Sequence, residues 1–269
     1  MKVGFSLAIP NEKYCDEILP MIREAGFDGF EPTLTPKDGL PNLAEPEASA
    51  ERLRVKAEKL GLEILSMRGG PTFWPIFASP NKDDRDRAIV AAEKALQAVK
   101  IMGGSAMLTV PGQIKESRDY VAATGWATES AKRLAPIAER LGITACIENV
   151  ENGLFISPLD MRNLIDAVAS PQVKSYFDVG NCLFLGQGLP EDWIRILGSR
   201  VGRIHFKDAV PHKEIAYLLQ GEVNWPAVVK AMRETGYDQY VCVELTPYKL
   251  LPQRMLEETC KNARAILAM

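Results

Sequence analysis

Four tetrapeptides, EAGF, KLGL, RLGI and ETGY, share one layout, in which Gly26, Gly61, Gly142 or Gly236 closes a helix-like segment and stands directly before an apolar run. A glycine in that place stops an α-helix in the left-handed conformation, so the repeated sign marks repeated helix-to-strand joints. Strand-like runs begin near Lys2, Gly26, Leu62, Ser105, Thr144, Val173, Val201 and Tyr240. Helical periodicity falls between them, over Tyr14 to Glu24, Ala48 to Leu60, Asp83 to Met102, Thr128 to Leu141, Ser157 to Ala169, Pro190 to Leu197, Trp225 to Thr235 and Leu251 to Leu267. The alternation predicts an α/β fold of eight βα units, a (β/α)8 TIM barrel. Such a barrel takes about 250 residues, so the 269 residues read as one barrel domain, 1–269. Pro36 to Pro46 then forms a long βα loop rather than a boundary. The rival, a doubly wound open sheet, would carry a Gly-rich phosphate turn after its first strand, and SLAIPNEKY has none.

Charge narrows the partner. Thirty-two basic residues stand against 35 acidic ones, a net charge of −3, with no basic run. A nucleic-acid footprint and a membrane-surface patch are therefore unsupported, and no apolar run approaches the roughly 20 residues of a membrane span. The N-terminus lacks the features of a secretory signal. These readings imply a cytoplasmic protein with a small-molecule partner. Five cysteines, an odd number without a CxxC pair, argue against a disulfide framework or a thiolate zinc site. Cys146 and Cys242 each lie two residues before an acid on an apolar run, which points them into the barrel as packing residues.

The chemistry concentrates at four strand ends. Glu148 in ITACIENV, Asp178 in VKSYFDVGN, His205 in VGRIHFKD and Glu244 in YVCVEL follow one another at intervals of 30, 27 and 39 residues. Catalytic groups of a TIM barrel come from the C-terminal strand ends and βα loops. Each acid lies where an apolar run gives way to a loop, and an unpaired charge buried there would cost several kcal/mol unless an ion or hydrogen-bond donors offset it. Three carboxylates and one imidazole form a hard donor set for a divalent metal, with Mn²⁺ or Mg²⁺ favoured over Co²⁺ or Zn²⁺. Salt bridges to Arg and Lys would satisfy any one of these residues alone; four on successive strands favour a common ion. Lys207 shares the strand parity of His205 and should face the same site, where it would steady substrate oxygens or form a salt bridge to Asp208 or another acid. The loop RGGPTFWPIF, with Arg68, Phe73, Trp74 and Phe77, offers a wall over the mouth or an oligomer contact. Trp193 and Trp225, at helix starts, should pack in the helix layer.

At these residues the chain resembles the xylose isomerase-like TIM-barrel superfamily, the sugar isomerases and epimerases that include D-tagatose 3-epimerase. The segments IENVENGLFISPLDM, YFDVGNCLFLGQGLPEDWIRILG, RIHFKD and GYDQYVCVEL are similar to a hexulose-6-phosphate isomerase type branch of sugar phosphate isomerases and epimerases. GFDGFEP, which contains Glu31, adds generic support. The resemblance implies Glu148, Asp178, His205 and Glu244 as metal ligands and Glu148 and Glu244 as the acid/base pair. Lys207, Asn181, Arg68, Glu151, His212 and Trp74 are the candidate substrate contacts, and a homodimer or homotetramer is the expected assembly. Ketose 3-epimerases carry a histidine where Asn181 stands and an arginine near Pro211 and His212, so their substrates do not transfer directly. Two histidines in the whole chain cannot supply the trinuclear zinc cluster of the apurinic endonucleases of this superfamily.

The implied reaction moves a proton next to a carbonyl through a metal-stabilised enediolate, one glutamate removing it and the other returning it. A metal-dependent dehydratase of an inosose or keto-sugar would begin identically and expel water. A non-catalytic sugar-binding barrel is the alternative of another class. Lys213 and Lys249 stand after the last two strands without a Gly-rich phosphate nest, which favours a free or modified sugar over a sugar phosphate.

Overall fold

Strand β1 (Val3–Ala8) pairs in parallel with β2 (Gly29–Thr33) on one side and with β11 (Val241–Val243) on the other. That double pairing closes the sheet. The structure, a computed structural model, describes residues 1–71, 73–116 and 118–269, without the side chains of Trp74 and Glu116. The third barrel strand is interrupted, with β3 (Glu63–Ile64) and β4 (Met67–Arg68) each pairing separately with β2. From β4 the ladder runs through β5 (Ala106–Thr109), β6 (Thr144–Glu148), β7 (Val173–Asp178) and β8 (Val201–Phe206) to β11, all in parallel. With β3 and β4 taken as one interrupted strand, this is the closed eight-stranded (β/α)8 barrel expected from the alternation. β9 (Asp208–Val210) and β10 (Glu214–Ala216) form an antiparallel hairpin outside it.

Each strand turns one face to the helices and one inward. Val3, Phe5 and Leu7 of β1 join the continuous apolar layer under the helices. Trp193, at the start of α7 (Pro190–Leu197), stacks on Phe177 with ring centroids 5.5 Å apart, and Trp225, opening α8 (Trp225–Glu234), meets Phe206 at 4.7 Å. Both tryptophans thus pack in the helix layer as expected, and burial of side chains this large contributes upwards of ~2 kcal/mol each. Helix ends follow the local chemistry. Asn11 accepts from the Tyr14 amide at the start of α1 (Glu12–Glu24), and Ser157 from the Asp160 amide before α5 (Pro158–Val168), caps of ~1 kcal/mol each. The four glycine stops all have positive φ, from +64° at Gly61 to +91° at Gly26.

One helix begins well before its expected start, and another has no counterpart in the periodic pattern. α4 (Tyr120–Leu141) begins eight residues before Thr128, because Asp119 caps it and the helix runs through Gly125. α6 (Val179–Phe184) follows β7 directly; its six residues are too few to show a helical period.

The inward faces stack in layers. Near the floor Arg203 donates to the Gly202 carbonyl and to Ser105 Oγ (2.7 Å). Above it Leu108, Cys146 and Tyr176 form a small buried cluster, and Cys242 is fully buried too. Higher still, at the C-terminal strand ends, the apolar filling gives way to Glu148, Asp178, His205 and Glu244.

Candidate metal centre

Glu148 ends β6 and Asp178 ends β7, His205 sits one residue from the end of β8, and Glu244 directly follows β11. In register Asp178 lies beside His205, and His205 beside Cys242 on its other flank. The four side chains therefore meet. His205 Nδ1 lies 3.4 Å from Glu148 Oε1, 3.5 Å from Asp178 Oδ2 and 3.3 Å from Glu244 Oε2. One donor atom from each residue falls within 4.8 Å of all the others.

This set fits a divalent cation. Ligands held ~2.0–2.2 Å from one ion at ordinary coordination angles lie roughly 3.0–3.5 Å apart, the spacing found around Nδ1. Buried polar atoms normally have partners, yet Asp178 Oδ2 and His205 Nδ1 are buried without a hydrogen bond. Both point at the same place. The other atoms of these side chains are committed: Asp178 Oδ1 accepts from the Asn181 amide at 2.7 Å, and His205 Nε2 bonds Glu31 Oε1 at 2.8 Å. Asn149 clamps the strand ends, accepting from the Asp178 amide at 2.8 Å and donating to the Asp178 carbonyl at 3.0 Å.

Charge shifts follow from that crowding. Burial opposes the ionised form of Asp178, but Lys207 and His205 beside it outweigh burial and hold its pKa below the usual range. Burial would likewise lower the pKa of His205; the Glu31 charge and the contacts with Asp178 and Glu148 win, pushing it up to about 10. An imidazole in such surroundings holds a cation at Nδ1, either a proton or a metal ion that replaces it.

Two basic side chains bracket Glu244. Arg68 pairs with Oε1, its Nε donating to Thr33 Oγ1 at 2.8 Å, and Lys207 Nζ lies 2.6 Å from Oε2. Lys207 Nζ is also 3.0 Å from Asp178 Oδ2, at an angle that makes no hydrogen bond. Arg68, Lys207 and Glu244 line a cavity of about 540 Å³, walled by Leu7, Tyr14, Ile215 and Leu245 among others; of the four clustered donors, Glu244 is the one that reaches it. Its volume is in the range of small-molecule sites.

Residues 19–266 match the family described as xylose isomerase-like TIM barrel. The chain belongs to that family. Solved structures agree on the fold of this xylose isomerase-like barrel. D-psicose 3-epimerase from Clostridium cellulolyticum H10, solved with D-tagatose, superposes with a TM-score of 0.82 at 17% identity, covering 99% of each chain. The IOLI protein with a bound zinc atom gives 0.82 at 18% identity over 100% of this chain and 98% of that one. The 3-keto-D-glucoside 4-epimerase from E. coli gives 0.79 at 16% over 100% of both. Identities this low speak for the fold. No curated protein matches by sequence.

Within the barrel the proposed substrate contacts separate. Lys207 and Arg68 reach the cavity. Asn181 is instead part of the scaffold, its Nδ2 donating to the Asn149 carbonyl at 3.1 Å and its Oδ1 accepting from Lys207 at 3.3 Å. Glu151 stands exposed in the loop after β6 and does not line the cavity. His212, at φ +55°, is also exposed, and its ring packs against Gly186. The Trp74 side chain lies outside the described residues. Phe73 and Phe77 do not wall the mouth: the short 3₁₀ turn Trp74–Ala78 folds them together into the core, 5.8 Å between ring centroids. Lys213 pairs with Glu214, and Lys249 is exposed.

Sequence reasoning missed Glu31 as a site residue. It is fully buried in β2 under His205. Burial would raise its pKa, but His205 draws it down to about 2. A charge at an inward position of an otherwise apolar strand was the available signal. No helix among the described residues is long and apolar enough to cross a membrane.

Proposed function

We propose that the chain is a divalent-metal-dependent sugar isomerase or epimerase that moves a proton next to a carbonyl, with Glu148 and Glu244 as the acid/base pair. One observation carries this reading. Glu148 and Glu244 come from strands separated by β7 and β8, yet both approach the same His205 nitrogen within 3.4 Å, from two sides of the donor cluster. Proton removal and return at neighbouring positions need two such groups within hydrogen-bond reach of the substrate.

Glu148, Asp178, His205 and Glu244 would hold the ion. Three oxygens and one nitrogen favour Mn²⁺, with Mg²⁺, Co²⁺ or Zn²⁺ as substitutes. When bound, it supplies Lewis-acid polarisation of a carbonyl oxygen, which acidifies the adjoining C–H bond. Glu148 or Glu244 takes that proton, and the opposite glutamate delivers one to the other face or to the adjacent carbon. Lys207 donates to a substrate oxygen on which negative charge grows, and Arg68 holds Glu244 in register. Leu7, Tyr14, Ile215 and Leu245 limit water around the ring.

The substrate favoured is an unphosphorylated sugar. Both cations lining the cavity are already paired with Glu244, and neither Lys213 nor Lys249 lines it.

The test is incubation of Mn²⁺-loaded protein with free ketoses, their phosphates and inososes in D2O, followed by NMR. Deuterium appearing beside the carbonyl with an isomeric product supports the reading. Loss of water would make the protein a dehydratase, and sugar binding without exchange would make it a binding barrel.

A further inference from the structure

Below the donor cluster, Glu31 is a carboxylate with every direction filled. Ser6 Oγ donates to Oε1 at 2.8 Å, and Oε1 also faces His205 Nε2 at 2.8 Å. Tyr176 OH donates to Oε2 at 2.6 Å and Ser66 Oγ at 2.5 Å. A carboxylate offers about four lone-pair sites, so these groups, reaching in from β1, β8, β7 and the break between β3 and β4, saturate it. Such a carboxylate cannot turn. Its partner cannot turn either, because the Tyr176 ring packs on the His205 ring with centroids 4.3 Å apart. The imidazole thus has one nitrogen spoken for and the other aimed at Glu148, Asp178 and Glu244.

We propose that Glu31 is the positioning residue of the metal centre: clamped by Ser6, Ser66 and Tyr176, it accepts the Nε2 proton of His205 and thereby presents Nδ1 to the ion. This rests on the metal-dependent reading above. A hydrogen bond to the far nitrogen of a ligating histidine fixes its tautomer and orientation, and loss of such a partner typically weakens metal binding ~10- to 100-fold. Glutamine has the shape of Glu31 but a single acceptor oxygen. Glu31→Gln must therefore leave either His205 or the Ser66 and Tyr176 hydroxyls facing an NH₂ group.

The experiment measures Mn²⁺ and Zn²⁺ affinity by chelator competition and the ring nitrogens by ¹⁵N NMR of Zn²⁺-loaded protein. The chain has only His205 and His212, so the spectrum is readily assigned. Wild type should show zinc on Nδ1 and a low-field Nε2 proton. Glu31→Gln should bind both ions ~10- to 100-fold more weakly and lose that proton's low-field shift. Tyr176→Phe and Ser66→Ala each remove one clamp, should weaken binding by a smaller factor, and carry the test if Glu31→Gln does not fold. Folded variants that bind within twofold of wild type, or zinc on Nε2, would overturn the role of Glu31. A wild type that binds neither ion would instead overturn the metal-dependent reading itself.

Discussion

Lys207, one residue past the end of β8, reaches Glu244 at the end of the neighbouring strand β11, with Nζ 2.6 Å from Oε2, and both side chains remain largely buried. Lys207 shares the cavity lining with Arg68 and, unlike Arg68, reaches both Glu244 and Asp178. Lys207→Met keeps the stem and removes the charge. The charge-assisted hydrogen bond it would give a substrate oxygen, ~1.5–3 kcal/mol, is then lost, which lowers kcat/KM by roughly 10- to 100-fold. Steady-state kinetics on the sugar found by NMR would check it, and an unchanged kcat/KM would remove Lys207 from the substrate site.

Glu148→Gln and Glu244→Gln should each reduce solvent deuterium exchange by ~10²- to 10⁴-fold, the usual worth of a positioned acid or base. The two variants should also differ from wild type in metal affinity, since each removes a donor oxygen. Near-normal exchange in either one, measured at saturating Mn²⁺, would end the assignment of that glutamate.

The four candidate metal donors were legible because each lies at or near the end of an apolar run, and in a parallel barrel all such ends face the same way. What lay outside that rule was harder to see. Glu31 is followed by Pro32 and Thr33 within the same strand, so nothing in its surroundings marks a strand end. Parity told where Lys207 points and that an acid could meet it there, but not that the partners are Glu244 and Asp178 rather than Asp208. Loop residues were least legible: the positive φ of His212 turns its ring onto Gly186, and a 3₁₀ turn buries Phe73 and Phe77. Those outcomes depend on loop backbone geometry, which hydrophobic periodicity does not report.

Asp208, next to Lys207, serves the frame. It is fully buried and accepts from Trp225 Nε1 (3.0 Å) and from the amides of Leu219 (2.9 Å) and Val223 (3.1 Å). Asp208→Ala strands several buried donors at ~1–3 kcal/mol each, so a loss of at least ~3 kcal/mol is expected. Urea unfolding would measure it, and a loss below ~1 kcal/mol would contradict the account.

Buried thiols give the fold an alkaline limit. All five cysteines are free and buried. Burial raises the pKa of Cys15 to about 11, that of Cys146 to about 12, and that of Cys182 in the same direction, from an ordinary 9.0. The folded pKa lies above the unfolded one, so the native state keeps protons that the unfolded chain releases. This contribution is complete below pH 9 and is lost as pH rises through the folded values, by at most ~1.4 kcal/mol per pH unit for each thiol. Unfolding midpoints should fall between pH 9 and pH 11, while at pH 8 a thiol reagent should label no cysteine in the native protein and five after denaturation. Fast labelling of the native protein would show that these thiols are more accessible than their burial implies.

Gly180 is the position where the scaffold presses hardest on the site. A Cβ there would stand 2.3 Å from Lys207 Cβ and 3.0 Å from the Lys207 carbonyl carbon, neither of which is the free end of a flexible chain. Gly180→Ala must therefore push the end of β8 away from α6. Overpacking of this kind costs ~1–3 kcal/mol, but the larger effect should be on turnover, because a displacement of ~1 Å at a reacting group can cost ~10²-fold in rate. Gly125→Ala is the matched control: it lies inside α4 with nothing within 4 Å of the new methyl group. That change should stabilise the helix by ~0.5–1 kcal/mol and leave activity alone. Equal activity in the two variants would mean that Lys207 does not need its observed place.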